Sequence, residues 1–226
     1  MKKKTFYSEL AYVFGLLFLA IGAALMERAD FGLSTVVAPA YILHLKLSEY
    51  APFFSFGMAE YTLQALLILA LALVLRRFKL SYLFVFGTAL IYGFLLDGVM
   101  LLTALLPQTL YLRVVWYVLG LILCAAGVSF MFHTYLSPEA YELVVKEISA
   151  KWKFDINKVK TIYDIISCAT GIVLSFCFFG FGHFEGVNVG TIICALVNGW
   201  MIGRFTWLYE KVFQFRDGWE LRKYFV

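Results

Sequence analysis

Long apolar blocks separated by short polar turns organise this chain. Six of them, at residues 10–26, 56–75, 80–106, 114–132, 161–181 and 187–208, have the length and apolar character of bilayer spans, since crossing about 30 Å of hydrocarbon takes roughly 17–25 mostly apolar residues in a helix. Two shorter segments lie between them. Residues 34–45 are apolar but too short to cross. Residues 138–152 carry Glu139, Glu142, Lys146, Glu147 and Lys151, which makes a full crossing costly. Both are expected to be short interfacial or re-entrant helices. The pattern predicts an all-α, polytopic transmembrane helix bundle.

The basic residues orient this bundle. With six spans, Lys2 to Lys4, Arg76 to Lys79, Lys146 to Lys160 and Arg204 to Lys223 share one side, which then holds 16 of the 19 Lys and Arg residues. Arg28, Lys46 and Arg113 fall on the other. Such a bias marks the cytoplasmic side, so both termini are expected in the cytoplasm, in a bacterial cytoplasmic membrane. If the two short segments also crossed, Arg76, Arg77 and Lys79 would land outside. After Leu208, Phe213, Phe215, Trp219 and Tyr224 stand among Lys211, Arg216, Arg222 and Lys223, and residues 213–226 are read as an amphipathic helix on anionic cytoplasmic lipid.

Composition sharpens the class. Of 226 residues, 62% are hydrophobic and 15% charged, against about 45–50% and about 25% in soluble domains. One membrane domain, residues 1–226, is expected. Lys2 to Lys4 followed by an apolar run is reminiscent of a signal peptide, yet the run ends in Glu27, Arg28 and Asp30 with no small-residue cleavage site, so it reads as a retained first span. The net charge of +4 comes from short loops beside spans and requires no nucleic-acid partner. Cys124, Cys168, Cys177 and Cys194 form no CxxC or Cys/His cluster; packing thiols are expected, with no metal and no cofactor.

The chain also repeats itself. The string GAALMERADFGLST from Gly22 aligns with GVSFMFHTYLSPEA from Gly127, the second span aligns with residues 156–174 so that Gln64 faces Asp164, and Gly87-Thr88 aligns with Gly190-Thr191. Each half reads span, short helix, span, span. Three crossings per half make the second half (108–212) enter the membrane opposite to the first (1–107), giving inverted repeats, an architecture of secondary transporters with a site near the midplane.

The strings GAALMERADFGLSTVVAPAYILHL, FGMAEYTLQALL and VGTIICALVNGWMIG resemble the bacterial YczE/YyaS/YitT-type integral membrane proteins over residues 15–211. The resemblance implies a multi-pass membrane protein and brings no substrate or catalytic residue with it.

Polar residues inside apolar spans are default site candidates, because burying them in hydrocarbon needs a partner or water. Asp97, deep in the third span within FLLDGVM, is the leading one; a carboxylate able to take up a proton there would couple proton movement to solute movement, and the plainer reading is a hydrogen bond to Tyr92 or Asn198. Gln64 and Asp164, related by the repeat, and Asn198, beside a GxxxG spacing, complete the expected midplane set. The Glu27, Arg28 and Asp30 cluster precedes Ser34 and Thr35, where a helix start offers free N–H groups to an anion or simply an N-cap. His133, opposite Arg28 in the repeat, is of a type suited to proton exchange. No HExxH, GxxxxGK[ST] or GxSxG is present, so no enzyme activity and no ATP bound to this chain are expected. The leading expectation is a small secondary transporter or exporter of an unknown solute or ion. A substrate-capturing subunit of a larger complex and a non-transporting scaffold are the alternatives, each with a homodimer or partner membrane protein in view.

Overall fold

A computed structural model describes residues 3–79, 81–136, 139–154, 156–180 and 185–219. Its elements are β1 (Lys4–Tyr7), α1 (Ser8–Ala29), α2 (Ala38–Ser48), α3 (Phe56–Leu75), α4 (Ser81–Thr103), α5 (Leu110–Met131), α6 (Ala140–Trp152), α7 (Ile156–Phe179), α8 (Val189–Val212) and β2 (Phe213–Arg216). Six of the helices, all but α2 and α6, are long and apolar enough to cross a membrane, and the chain is a multi-pass membrane protein.

The helices stop where their sequence stops them. Ser55 caps α3 by accepting from the Met58 N–H at 3.0 Å, and Asn188 with Thr191 forms a capping box on α8. Asp30, Arg76 and Lys153 take left-handed backbone conformations just past α1, α3 and α6, closing those helices as residues at this position commonly do.

At the centre, α1 packs most extensively against α5, and glycine makes that approach close. A Cβ added to Gly22 would lie 2.6 Å from the Cys124 Sγ and 2.8 Å from the Gly120 carbonyl oxygen; one added to Gly127 would lie 2.9 Å from the Gly15 carbonyl oxygen. Gly15 meets Gly127 and Gly22 meets Gly120, so the two helices run antiparallel. With little hydrophobic drive between helices in lipid, such small-residue contact is what lets backbones associate. The surrounding core draws on α1, α2, α3, α4, α5 and α8.

The tail departs from expectation. Residues 213–216 are a strand, β2, paired in parallel with β1 in the register Lys4 to Phe213 and Phe6 to Phe215. The spacing explains it: Phe213 and Phe215 are two residues apart, which puts them on one face of a strand but on nearly opposite faces of a helix. That face packs on Phe6, Phe130 and Tyr209. Residues 220–226, including Arg222, Lys223 and Tyr224, lie outside the described residues. The pairing brings the two terminal segments together at one end of the bundle, called here the terminal end; the opposite end is the distal one.

Contacts settle how the two short helices lie. At the start of α6 the Ala140 N–H donates to Gln64 Oε1 at 3.1 Å, near the middle of α3, and at its end Lys151 Nζ donates to the Val74 carbonyl at 2.9 Å. At the start of α2 the Thr35 carbonyl accepts from Ser167 at 2.8 Å, near the middle of α7, and Ile42 lies beside Gly171. Both therefore begin at mid-depth and run outward in opposite directions, α6 to the terminal end and α2 to the distal end. Neither lies flat on a surface.

Glu147 fastens the outer turn of α6, receiving Arg77 at 2.9 Å and also Lys79. Partial burial works to raise its pKa, but the hydrogen bonds and charges of Lys79 and Arg77 prevail and hold it below the ordinary glutamate value. A depressed carboxylate stabilises the fold above the unfolded-state pKa, and that contribution disappears as pH falls through the folded-state value. Because both cations are about half exposed, Glu147→Gln is expected to cost about 1 kcal/mol. Thermal unfolding in detergent at neutral pH checks this: the difference from wild type should shrink in high salt and vanish below the carboxylate range.

Candidate functional site

The starts of α2 and α6 face one cavity of about 360 Å³. At mid-depth it is lined by Ser34 and Thr35 leading into α2, by Glu139, Tyr141 and Glu142 at the start of α6, and by Tyr92, Cys124, Cys194, Asp164 and Asn198 from the spans. Its lining then continues through Val128, Met131 and Phe132 at the end of α5 and Lys160 and Thr161 at the start of α7, which are the terminal ends of those helices. The polar half-helix starts thus meet a corridor, apolar on its α5 side and polar on its α7 side, whose lining runs toward the terminal end.

The charges are unevenly matched. Lys160 Nζ lies 3.0 Å from Asp164 Oδ1, one helical turn away on α7. Glu139 is only 8% exposed, and among the described residues neither its Oε1 nor the Asn198 Oδ1 has a hydrogen-bond partner. Behind the cavity wall, Glu60 is fully buried and accepts from the Tyr141 hydroxyl at 2.7 Å and weakly from Gln64 Nε2 at 3.4 Å. Among the described residues no group of three or more His, Cys, Asp or Glu could hold a metal ion.

Four of the residues singled out from the sequence, Ser34, Thr35, Asp164 and Asn198, come together in this cavity. Gln64 stands one layer behind, anchoring α6. Asp97 does not join them. Its carboxylate accepts from the Ser55 hydroxyl at 2.5 Å and from the Gly57 N–H at 2.7 Å, closing the first turn of α3. Tyr92 and Asn198 are not its partners, because the α3–α4 crossing presents free N-terminal donors of α3 to the carboxylate.

The Glu27, Arg28 and Asp30 cluster belongs to the distal end. Glu27 accepts from the Tyr41 hydroxyl at 3.2 Å, Arg28 donates to the Leu106 carbonyl, and Asp30 pairs with Arg113 at 2.9 Å, which also donates to the Ala29 carbonyl. Beside it the Gly190 N–H donates to the Phe31 carbonyl at 2.7 Å and the Leu33 N–H to Gly186 at 3.1 Å. Gly32, at φ 101°, sits so close that a Cβ there would lie 2.5 Å from Thr191 Oγ1. These polar groups are engaged with neighbouring side chains and carbonyls at the distal end, and none of Glu27, Arg28 and Asp30 lines the cavity. His133 lies at the terminal end, where its Nδ1 contacts the Ser129 carbonyl at 2.7 Å and its ring stacks on Phe215.

Sequence reading passed over Glu60, Glu139, Glu142, Lys160 and Tyr141. Glu60 was detectable, being a carboxylate inside an apolar span in the string FGMAEYTLQALL, and the alignment that sets Gln64 opposite Asp164 also sets Glu60 opposite Lys160. Glu139 and Glu142 make a full crossing costly, which leaves room for a half-length helix whose start faces a cavity, but nothing in their spacing marks them as lining a site.

A family model described as "Family of unknown function (DUF6198)" matches residues 6–206, and the chain belongs to that family. No curated protein and no solved structure matches it.

Proposed function

We propose that this DUF6198 protein is a small secondary transporter whose site is the mid-depth cavity between α2 and α6. The observation that carries this reading is the convergence of two half-length helix starts, arriving from opposite ends of the bundle, on one polar cavity, the placement used where broken helices bind solutes inside a bilayer. Inverted repeats support it. Gly22 aligns with Gly127, and the same offset relates Gly15 to Gly120; the contacts observed, Gly15 with Gly127 and Gly22 with Gly120, are those a two-fold axis between the halves would generate. Likewise α1 packs on α4 as α5 packs on α8, and α6 flanks α3 as α2 flanks α7.

In this arrangement the distal side is closed by Gly32, Gly190 and the Asp30 to Arg113 pair, while the cavity lining reaches the terminal end, the cytoplasmic side by charge bias. Alternating access would open the first and close the second.

Two native thiols test this without a known substrate. Cys124 and Cys194 line the cavity. In a variant keeping only Cys194, an impermeant cationic methanethiosulfonate reagent is expected to modify the thiol from the terminal side of oriented vesicles and, more slowly, from the distal side. Modification from one side only, or from neither, would sink the transport reading and favour a scaffold.

A further inference from the structure

One ammonium, that of Lys160, faces three carboxylates around the cavity, those of Glu139, Glu142 and Asp164. Among the described residues Lys160 is paired by charge with Asp164 at 3.0 Å, though the Asp164 Oδ1 receives no well-aligned hydrogen bond, and neither Glu139 nor Glu142 has an ion pair. A carboxylate as buried as that of Glu139 is costly without a counter-charge. The start of α6 offsets roughly half a charge and leaves the site acidic. The buried Glu139 Oε1 and Asn198 Oδ1, acceptors without a donor among the described residues, point the same way, to a ligand that donates hydrogen bonds or brings positive charge.

Resting on the transport reading of this cavity, we infer that its ligand is an organic monocation, an ammonium on an apolar body, and that Glu139 and Glu142 exchange a proton against it. Among the described residues no three His, Cys, Asp or Glu side chains converge as they would on a transition-metal ion. The walls fit an apolar body instead: Leu19, Val128, Met131 and Ile202 are hydrocarbon, and Tyr92 and Phe132 offer aromatic surface that attracts cations. About 360 Å³ suits a small organic molecule.

The charged groups facing Glu139 are Glu142 on its own helix, Glu60 from α3 and Lys160 from α7. The neutral titratable groups facing it are Tyr141 beside it, Tyr12 from α1, Tyr92 from α4 and Cys124 from α5. Among the described residues Lys160 is thus the one cation facing Glu139, and it is paired with Asp164. In the empty site a carboxyl holds a proton. The arriving ammonium favours the carboxylate, the proton leaves along the corridor to water, and the net charge within the bundle is unchanged.

The test uses the full chain in detergent with benzyltrimethylammonium as probe, tetraethylammonium as a second cation, and benzoate, benzyl alcohol and sodium chloride as controls. Binding of the cations is expected, with about one proton released per molecule bound in weak buffer and an affinity that rises up to tenfold per pH unit. Glu139→Gln should weaken binding more than tenfold and abolish proton release at an unchanged unfolding temperature. Lys160→Met should tighten binding several-fold, whereas an anion site would lose its ligand. Preference for benzoate or benzyl alcohol, binding without proton release, or no binding of either cation overturns the inference. Vesicle flux separates the two readings: cation binding without flux ends the transport reading and leaves this site, while flux confined to neutral or anionic solutes does the reverse.

Discussion

Valine at Gly57 is expected to drive α3 and α4 apart and to leave little folded protein. Gly57 sits in the first turn of α3 where that helix crosses α4 at Gly93. A Cβ there would run into the Gly93 carbonyl oxygen and come within 2.7 Å of Asp97 Oδ2, and reciprocally a Cβ on Gly93 would lie 2.8 Å from the Gly57 carbonyl. These neighbours are mostly backbone, which cannot rotate out of the way as a side chain can. Overpacking of this kind costs about 3 kcal/mol or more when whole helices must shift, and here the shift also pulls the Gly57 N–H from Asp97. The check is the monodisperse fraction of Gly57→Val in size-exclusion chromatography and its unfolding temperature. Wild-type values for both would show that the crossing is looser than described.

Asp97→Ala is expected to be the second most damaging change, at about 3 kcal/mol, because it removes two partly buried hydrogen bonds and strands the donors at the start of α3. Asp97→Asn keeps one acceptor oxygen and should lose about half as much. Ligand binding and pH dependence at the cavity should stay at wild-type levels in whatever fraction folds, since Asp97 does not line it. A changed pH profile in Asp97→Asn, with stability intact, would restore the coupling role that its depth in the span suggested. The two sites share one contact, so Gly57→Val combined with Asp97→Ala should cost less than the two separately.

The two changes also mark the limit of depth as a guide to function. Asp97 and Glu60 both stand inside apolar spans, and the same cost argument applies to either. Asp97 meets free N–H groups and becomes a cap. Glu60 meets Tyr141 and Gln64 and lies one layer behind the cavity. A carboxylate's cost in hydrocarbon guarantees a partner, and only packing says which.

By itself, the sequence determined that this is a multi-pass membrane protein with six apolar helices and two shorter ones, because a bilayer imposes a length and polarity on each crossing that can be counted residue by residue. It also carried Ser34, Thr35, Asp164 and Asn198 among the candidates, since polar groups in such surroundings are few. Only the tertiary structure decided that α2 and α6 start at mid-depth, that Glu139 and Glu142 face a cavity while Asp97 caps a helix, and that residues 213–216 pair with the N-terminal segment. Those outcomes depend on which donors and which apolar faces neighbouring helices present, and that is a property of the crossings, not of any one stretch of chain.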